Sequence, residues 1–189
     1  SPFGPNKNIL IGGNTASARN IISGNTLSGV QMHGPNLTTG VRVQGNYIGP
    51  SPTLASIPGS PQVTGIYMWM GVSNITVGGA LTGQANIIAY NATNGIMLSD
   101  ATSDSVKISA NLIYGMSNKA INLNGTGNGN YAAPTLTTAN SSTASGTALN
   151  NGDTIEVYLS DAGCKNATAF LGQAVVAGGT WSLGSLSLA

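Results

Sequence analysis

In 189 residues the chain carries six Lys or Arg and five Asp or Glu, so 6% of it is charged, against roughly 25% in an average soluble protein. A net charge of +1 with no basic cluster lacks the electrostatic footprint of a nucleic-acid binder, and no run approaches the roughly 18 apolar residues of a membrane span. Yet 41% of residues are hydrophobic and recur in short regular runs, which argues against disorder and leaves Asn, Ser, Thr and Gly to form the surface.

The first such run, "NILIGG" at residues 8–13, alternates like a short strand. It leads into "ARNIISGNTLSGVQM" at 18–32, which returns 66 residues later as "QANIIAYNATNGIML" at 84–98. Residues 8–48 set over 74–113 with one gap match "NILIGG" to "NITVGG", "SGVQM" to "NGIML" and "VRVQGNYI" to "VKISANLI". Self-similarity of this kind is the mark of a repeat architecture.

Each half divides again, because an Asn followed by an apolar pair begins at Asn20, Asn46, Asn86 and Asn111. Two further alternating strands follow each time. One is marked by Val30 and Met32, Ile66 and Met68, Ile96 and Leu98, Ile121 and Leu123. The other is marked by Val41 and Val43, Ile75 and Val77, Val106 and Ile108. Period-two strands this short are not helices.

Three short strands per turn predict an all-β fold whose first part is a right-handed parallel β-helix, with equivalent residues stacked about 4.8 Å apart. The four asparagines are then expected to form a structural ladder at one corner, their amides satisfying backbone groups where the chain bends. Insertions alternate: "GGNTASAR" precedes Asn20 and "GGALTGQA" precedes Asn86, while the other two turns run straight on. The Pro-rich stretch "GPSPTLASIPGSPQ", 49–62, reads as a long loop.

After about residue 131 the pattern changes. "TIEVYLS", "ATAFLGQAVV" and "TWSLGSLSL" read as strands of a small antiparallel β-sandwich. The expected organisation is therefore a β-helix over 1–131 followed by a sandwich module, short of a strand, over 132–189.

The tandem "NxIGG...ARNIISGN...GVxM...VxGNYIG" resembles the right-handed β-helix repeats of large secreted bacterial surface proteins, over about residues 8–125. That resemblance implies a scaffold in an extracellular or cell-surface setting, and it implies that the C-terminal part is an immunoglobulin-like module.

Chemistry finds little to work with. Glycoside hydrolysis generally takes two suitably spaced carboxyl groups, and the repeats hold only Asp100 and Asp104, close together. A lyase site assembled from His33, Asp100, Asp104, Arg42 and Lys107 is conceivable; solvated turn residues explain the same positions more simply. Asp153, Glu156 and Asp161 fall in the sandwich. Cys164 is the only cysteine, which excludes an intramolecular disulfide. With no phosphate-cradling loop, dinucleotide fingerprint or His-rich metal spacing, no cofactor and no metal are expected.

A contact surface is better founded. If Ile66 and Met68 of "GIYMWM" point inward, Tyr67 and Trp69 point outward, in a column shared with Gln31, Met97 and Asn122. Tyr67, Trp69 and Met97 are the candidate contact residues, for a glycan or for packing against protein.

The expected function is that of a secreted, non-enzymatic structural protein. It would be a subunit or segment of an extracellular filament, sheath or adhesive surface layer, assembling head to tail by strand complementation. Its partners would be copies of itself or neighbouring segments of a larger surface protein. The alternative is a carbohydrate-binding or polysaccharide-degrading β-helix protein, with a glycan as partner. Neither reading involves nucleic acid or membrane insertion.

Overall fold

The computed structural model describes residues 6–34, 38–59, 61–160 and 167–186. The chain is all-β and divides into two compact units, residues 1–130 and 131–189. No helix among the described residues is long and apolar enough to cross a membrane.

The first unit consists of parallel strands stacked in three sheets of four rungs. In sheet A the rungs are Asn6–Lys7 with Leu10–Gly12, Thr38–Thr39 with Arg42–Gln44, then Ser73–Gly78 and Asp104–Ser109. Sheet B stacks Ile21–Ile22, Tyr47–Ile48, Ile87–Ala89 and Leu112–Tyr114. Sheet C stacks Ser28–His33, Thr64–Trp69, Asn94–Ser99 and Lys119–Asn124. The chain therefore visits A, B and C in turn, four times.

Register follows the alternation of apolar residues. Val30, Ile66, Ile96 and Ile121 are partners in sheet C, and Val43 pairs with Val77 in sheet A as Val106 pairs with Ile75. These columns face one core, in which Ile48, Ile66, Met68, Ile88, Ile96 and Leu98 are fully buried. A one-residue slip would turn every one of them to solvent, so burial fixes the register.

Each apolar pair of sheet B is split by the same alternation. Ile22, Ile48, Ile88 and Ile113 point inward, while Ile21 is 46% exposed and Tyr47, Ile87 and Leu112 are half-buried on the outer side.

Sheet A is kinked at a single height. Asn8, Gly40, Asn74 and Ser105 occupy one register column and all take positive φ, between 53° and 68°. A left-handed residue in every rung interrupts the ladder at the same place; the strand is split there in the first two rungs and runs through it in the third and fourth.

The alternating insertions now have a physical reason. Residues 12–19 and 78–85 leave the corner between sheets A and B, and the intervening rung passes it with Gly45, whose N–H donates to the Gln84 carbonyl at 3.0 Å. A Cβ on Gly45 would lie 2.1 Å from the Gly13 carbonyl oxygen and 2.7 Å from that of Gly83. The two loops thus close over Gly45, and at a rung spacing of about 4.8 Å an insertion in the middle rung would have no room.

The second unit holds two antiparallel sheets. One orders Thr135–Ala139, Thr143–Thr147 and Thr180–Gly184; the other pairs Thr154–Ser160 with Ala167–Val175. Its core is Ala144, Ile155, Ala174, Val176 and Trp181, with Trp181 packed over Gly146, its cross-strand partner. Cys164 and Asp161 lie outside the described residues.

Candidate functional site

The four repeat asparagines meet at the corner between sheets A and B. The Asn20 N–H and Nδ2 donate to Asn46 Oδ1 at 3.1 and 2.9 Å, and those of Asn46 donate to Asn86 Oδ1 at 2.9 and 3.1 Å. Those of Asn86 donate in turn to Asn111 Oδ1 at 3.1 and 2.8 Å. The last three amides also reach back to a carbonyl of an earlier rung: Asn46 to Ile11, Asn86 to Val43 and Asn111 to Val77. Asn46 and Asn86 are fully buried. The polar atoms that the corner buries are thus spent on holding rung to rung, which satisfies groups that would otherwise be costly to bury.

On the outer face of sheet C, Gln31, Tyr67, Met97 and Asn122 are successive register partners, and His33 pairs with Trp69 in the neighbouring column. Trp69 stacks on His33 with ring centroids 4.7 Å apart and on Tyr67 at 4.5 Å, each pair tilted by 21°. His33 is exposed; Tyr67, Trp69 and Met97 are half-buried. Both neighbours of Trp69 engage its ring face to face, and the face of an indole is also what a sugar ring would stack on. The stack ties adjacent rungs together laterally, as the asparagines do at the corner. Trp69→Ala is expected to cost about 1–2 kcal/mol while leaving the parallel sheets intact, a loss that urea unfolding of the variant against the native chain would measure.

The ionisable candidates fall on different elements. Arg42, Thr76 and Lys107 are register partners on sheet A. Asp104 also belongs to sheet A, in register with Ser73, whereas His33 sits at the end of a sheet C strand. Asp100 follows the third strand of sheet C and is fixed in a turn. Its Oδ2 accepts from the Met70 N–H at 2.6 Å, and its Oδ1 accepts from the Thr102 N–H and hydroxyl at 3.0 and 2.6 Å and from the Ser103 N–H at 3.1 Å. Among the described residues no group of three or more His, Cys, Asp or Glu is placed to hold a metal ion.

Desolvation opposes the charge on Asp100, but the hydrogen bonds from Thr102, Met70 and Ser103 together outweigh it and hold the carboxyl below its ordinary value of 3.8. A depressed carboxyl adds stability that is present above its unfolded pKa and is lost as pH falls through the folded one. Asp100→Asn should therefore flatten part of the acid arm: the melting-temperature gap between native and variant chains at pH 6 is expected to shrink below pH 4.

One cluster is not apparent from the repeats alone. On the outer side of sheet B the Arg19 guanidinium lies 4.2 Å from the Tyr47 ring centroid and its Nη1 donates to the Tyr47 hydroxyl, while its Nε donates to the Gly45 carbonyl. Tyr90 and Tyr114 meet edge to face at 5.4 Å. Burial, then the neighbouring Tyr90 and Tyr47, push the Tyr114 phenol up. Tyr47 and Tyr114 do stand in Asn-led strands, but Tyr90 and Arg19 join them only through the packing of adjacent rungs.

Comparison with protein-family models, with curated proteins and with solved structures finds no match to this chain.

Proposed function

We propose that the chain is a non-enzymatic structural segment of a secreted bacterial surface protein, part of an extracellular filament, sheath or adhesive layer. In this reading the first unit is a right-handed parallel β-helix with three strands per turn, and the second is an immunoglobulin-like module. The observation that supports it is the continuous asparagine ladder from Asn20 to Asn111, which directs buried hydrogen bonds along the stack. A stack bonded along its axis suits a part that bears length or load, and a surface with few charges lowers the repulsion between neighbouring copies.

Electron microscopy of the chain at neutral pH, with no ligand added, tests this proposal. Rods or regular filaments support it. Release of new chain ends from a panel of polysaccharides by the same preparation would overturn it.

A second reading rests on the His33 and Tyr67 rings that stack on Trp69, with Gln31 and Asn122 on the same face: a surface for a neutral glycan, in which Trp69, its ring already engaged by both neighbours, holds the two rings in place. Binding to a glycan panel that is lost in Trp69→Ala, with the fold retained, would favour it over a purely structural role.

A further inference from the structure

A parallel stack presents an edge of unpaired N–H and C=O groups at its last rung, and a strand of another molecule can pair with such an edge. In sheet A that rung is Asp104–Ser109, whose described strand partner is Ser73–Gly78 on one side. On the other side stands a side chain. Asn128 Oδ1 accepts from the Val106 N–H at 3.0 Å, and Asn128 Nδ2 donates to the Val106 carbonyl at 3.1 Å.

A carboxamide offers the same donor and acceptor as a peptide group, so Asn128 gives Val106 both bonds that a fifth strand would give it. The segment is held there by its own geometry. The Asn128 N–H donates to the Ser103 carbonyl at 2.8 Å, and Asn128 and Gly129 are successive left-handed residues, with φ of 53° and 69°. Gly127 is buried over Leu98, where a Cβ would lie 2.7 Å from the Leu98 carbonyl oxygen. The chain thus crosses from sheet C to sheet A over the fourth rung and turns the Asn128 amide onto the edge strand.

We propose that Asn128 is an edge-blocking residue: it occupies the pairing site on Val106 that would otherwise accept a parallel strand from a second copy of the chain. Growth of a stack by rung-on-rung addition is closed at this edge. The choice of a second copy as the excluded partner rests on the structural reading above; the blocking geometry does not.

The test compares the native chain with Asn128→Ala and Asn128→Asp by sedimentation velocity across a range of concentrations, with amide exchange at Val106 read in parallel. Asn128→Ala is expected to keep its β-sheet circular dichroism, to sediment as larger species at concentrations where the native chain does not, and to exchange the Val106 amide about tenfold faster when dilute. Asn128→Asp, which keeps the acceptor and loses the donor, should fall between them. A folded Asn128→Ala that sediments like the native chain would overturn the proposal. So would failure of both variants to fold, which would make Asn128 a folding requirement. Because each readout compares variant with native, this result is independent of whether the native chain forms rods or filaments.

Discussion

Gly45→Ala is expected to destabilise the first unit by about 4 kcal/mol, whereas Gly24→Ala should cost only about 1 kcal/mol. Both glycines have positive φ, 68° and 73°, so the intrinsic cost of a left-handed alanine is the same for the two. Their surroundings differ. A Cβ on Gly24 meets nothing within 4 Å, while one on Gly45 runs into the Gly13 carbonyl at 2.1 Å and the Gly83 carbonyl at 2.7 Å. Those oxygens belong to the backbone of the two insertion loops and cannot swing away like the tip of a side chain. Relief requires the loops to part, which also strains the Gly45 to Gln84 bond. Urea unfolding of the two variants separates the contributions, and equal losses would show that the loops do not close over Gly45.

Asn86→Leu should be about as damaging, again about 4 kcal/mol, although leucine has nearly the same volume. The side chain is fully buried. Without its Oδ1, the Asn46 N–H has lost its acceptor; without its Nδ2, the Val43 carbonyl has lost its donor. The Asn46 amide keeps the Ile11 and Gln44 carbonyls, so the damage centres on two backbone groups, each costing about 1–3 kcal/mol when buried and unpaired. Asn20→Leu provides the control. Asn20 is exposed and donates into the ladder without accepting from a later rung, so its loss should cost under about 1 kcal/mol. Thermal melts of the two variants would check the difference, which a merely compositional role for asparagine does not predict.

How much of this was legible in the sequence depends on whether a feature repeats. The inward columns are legible because Val, Ile, Leu and Met recur at period two with equivalent neighbours, and burial enforces the register that this pattern implies. The asparagine corner is legible for the same reason: one residue type heads four apolar pairs. What the pairs conceal is that one member of each faces outward, since a two-residue apolar run has no period of its own; Ile21 and Tyr47 carry that outer surface. The alternation of the insertions is visible in the chain, but its cause is a contact between loops 66 residues apart across Gly45, which no local pattern encodes. Asn128 stands in the glycine-rich stretch "GTGNGN", outside the repeated strands, and its role comes from Val106, a strand residue of the preceding rung. The ionisable candidates fared differently. Asp100 is legible as a turn residue because Thr102 and Ser103 follow it, whereas its closeness in sequence to Asp104 does not reveal that Asp104 belongs to a strand of another sheet.

Buried amides clamp the rungs together along the stack, and amide hydrogen exchange of the native chain reads that clamp residue by residue. The backbone N–H groups of Asn46 and Asn86, each bonded to the side-chain oxygen of the next asparagine, should exchange as slowly as the most protected strand amides, such as Thr76, whose bond to the Val41 carbonyl joins sheet A. If Asn46 and Asn86 exchange within minutes while Thr76 stays protected, the corner opens independently of the sheets and the ladder does not hold the stack.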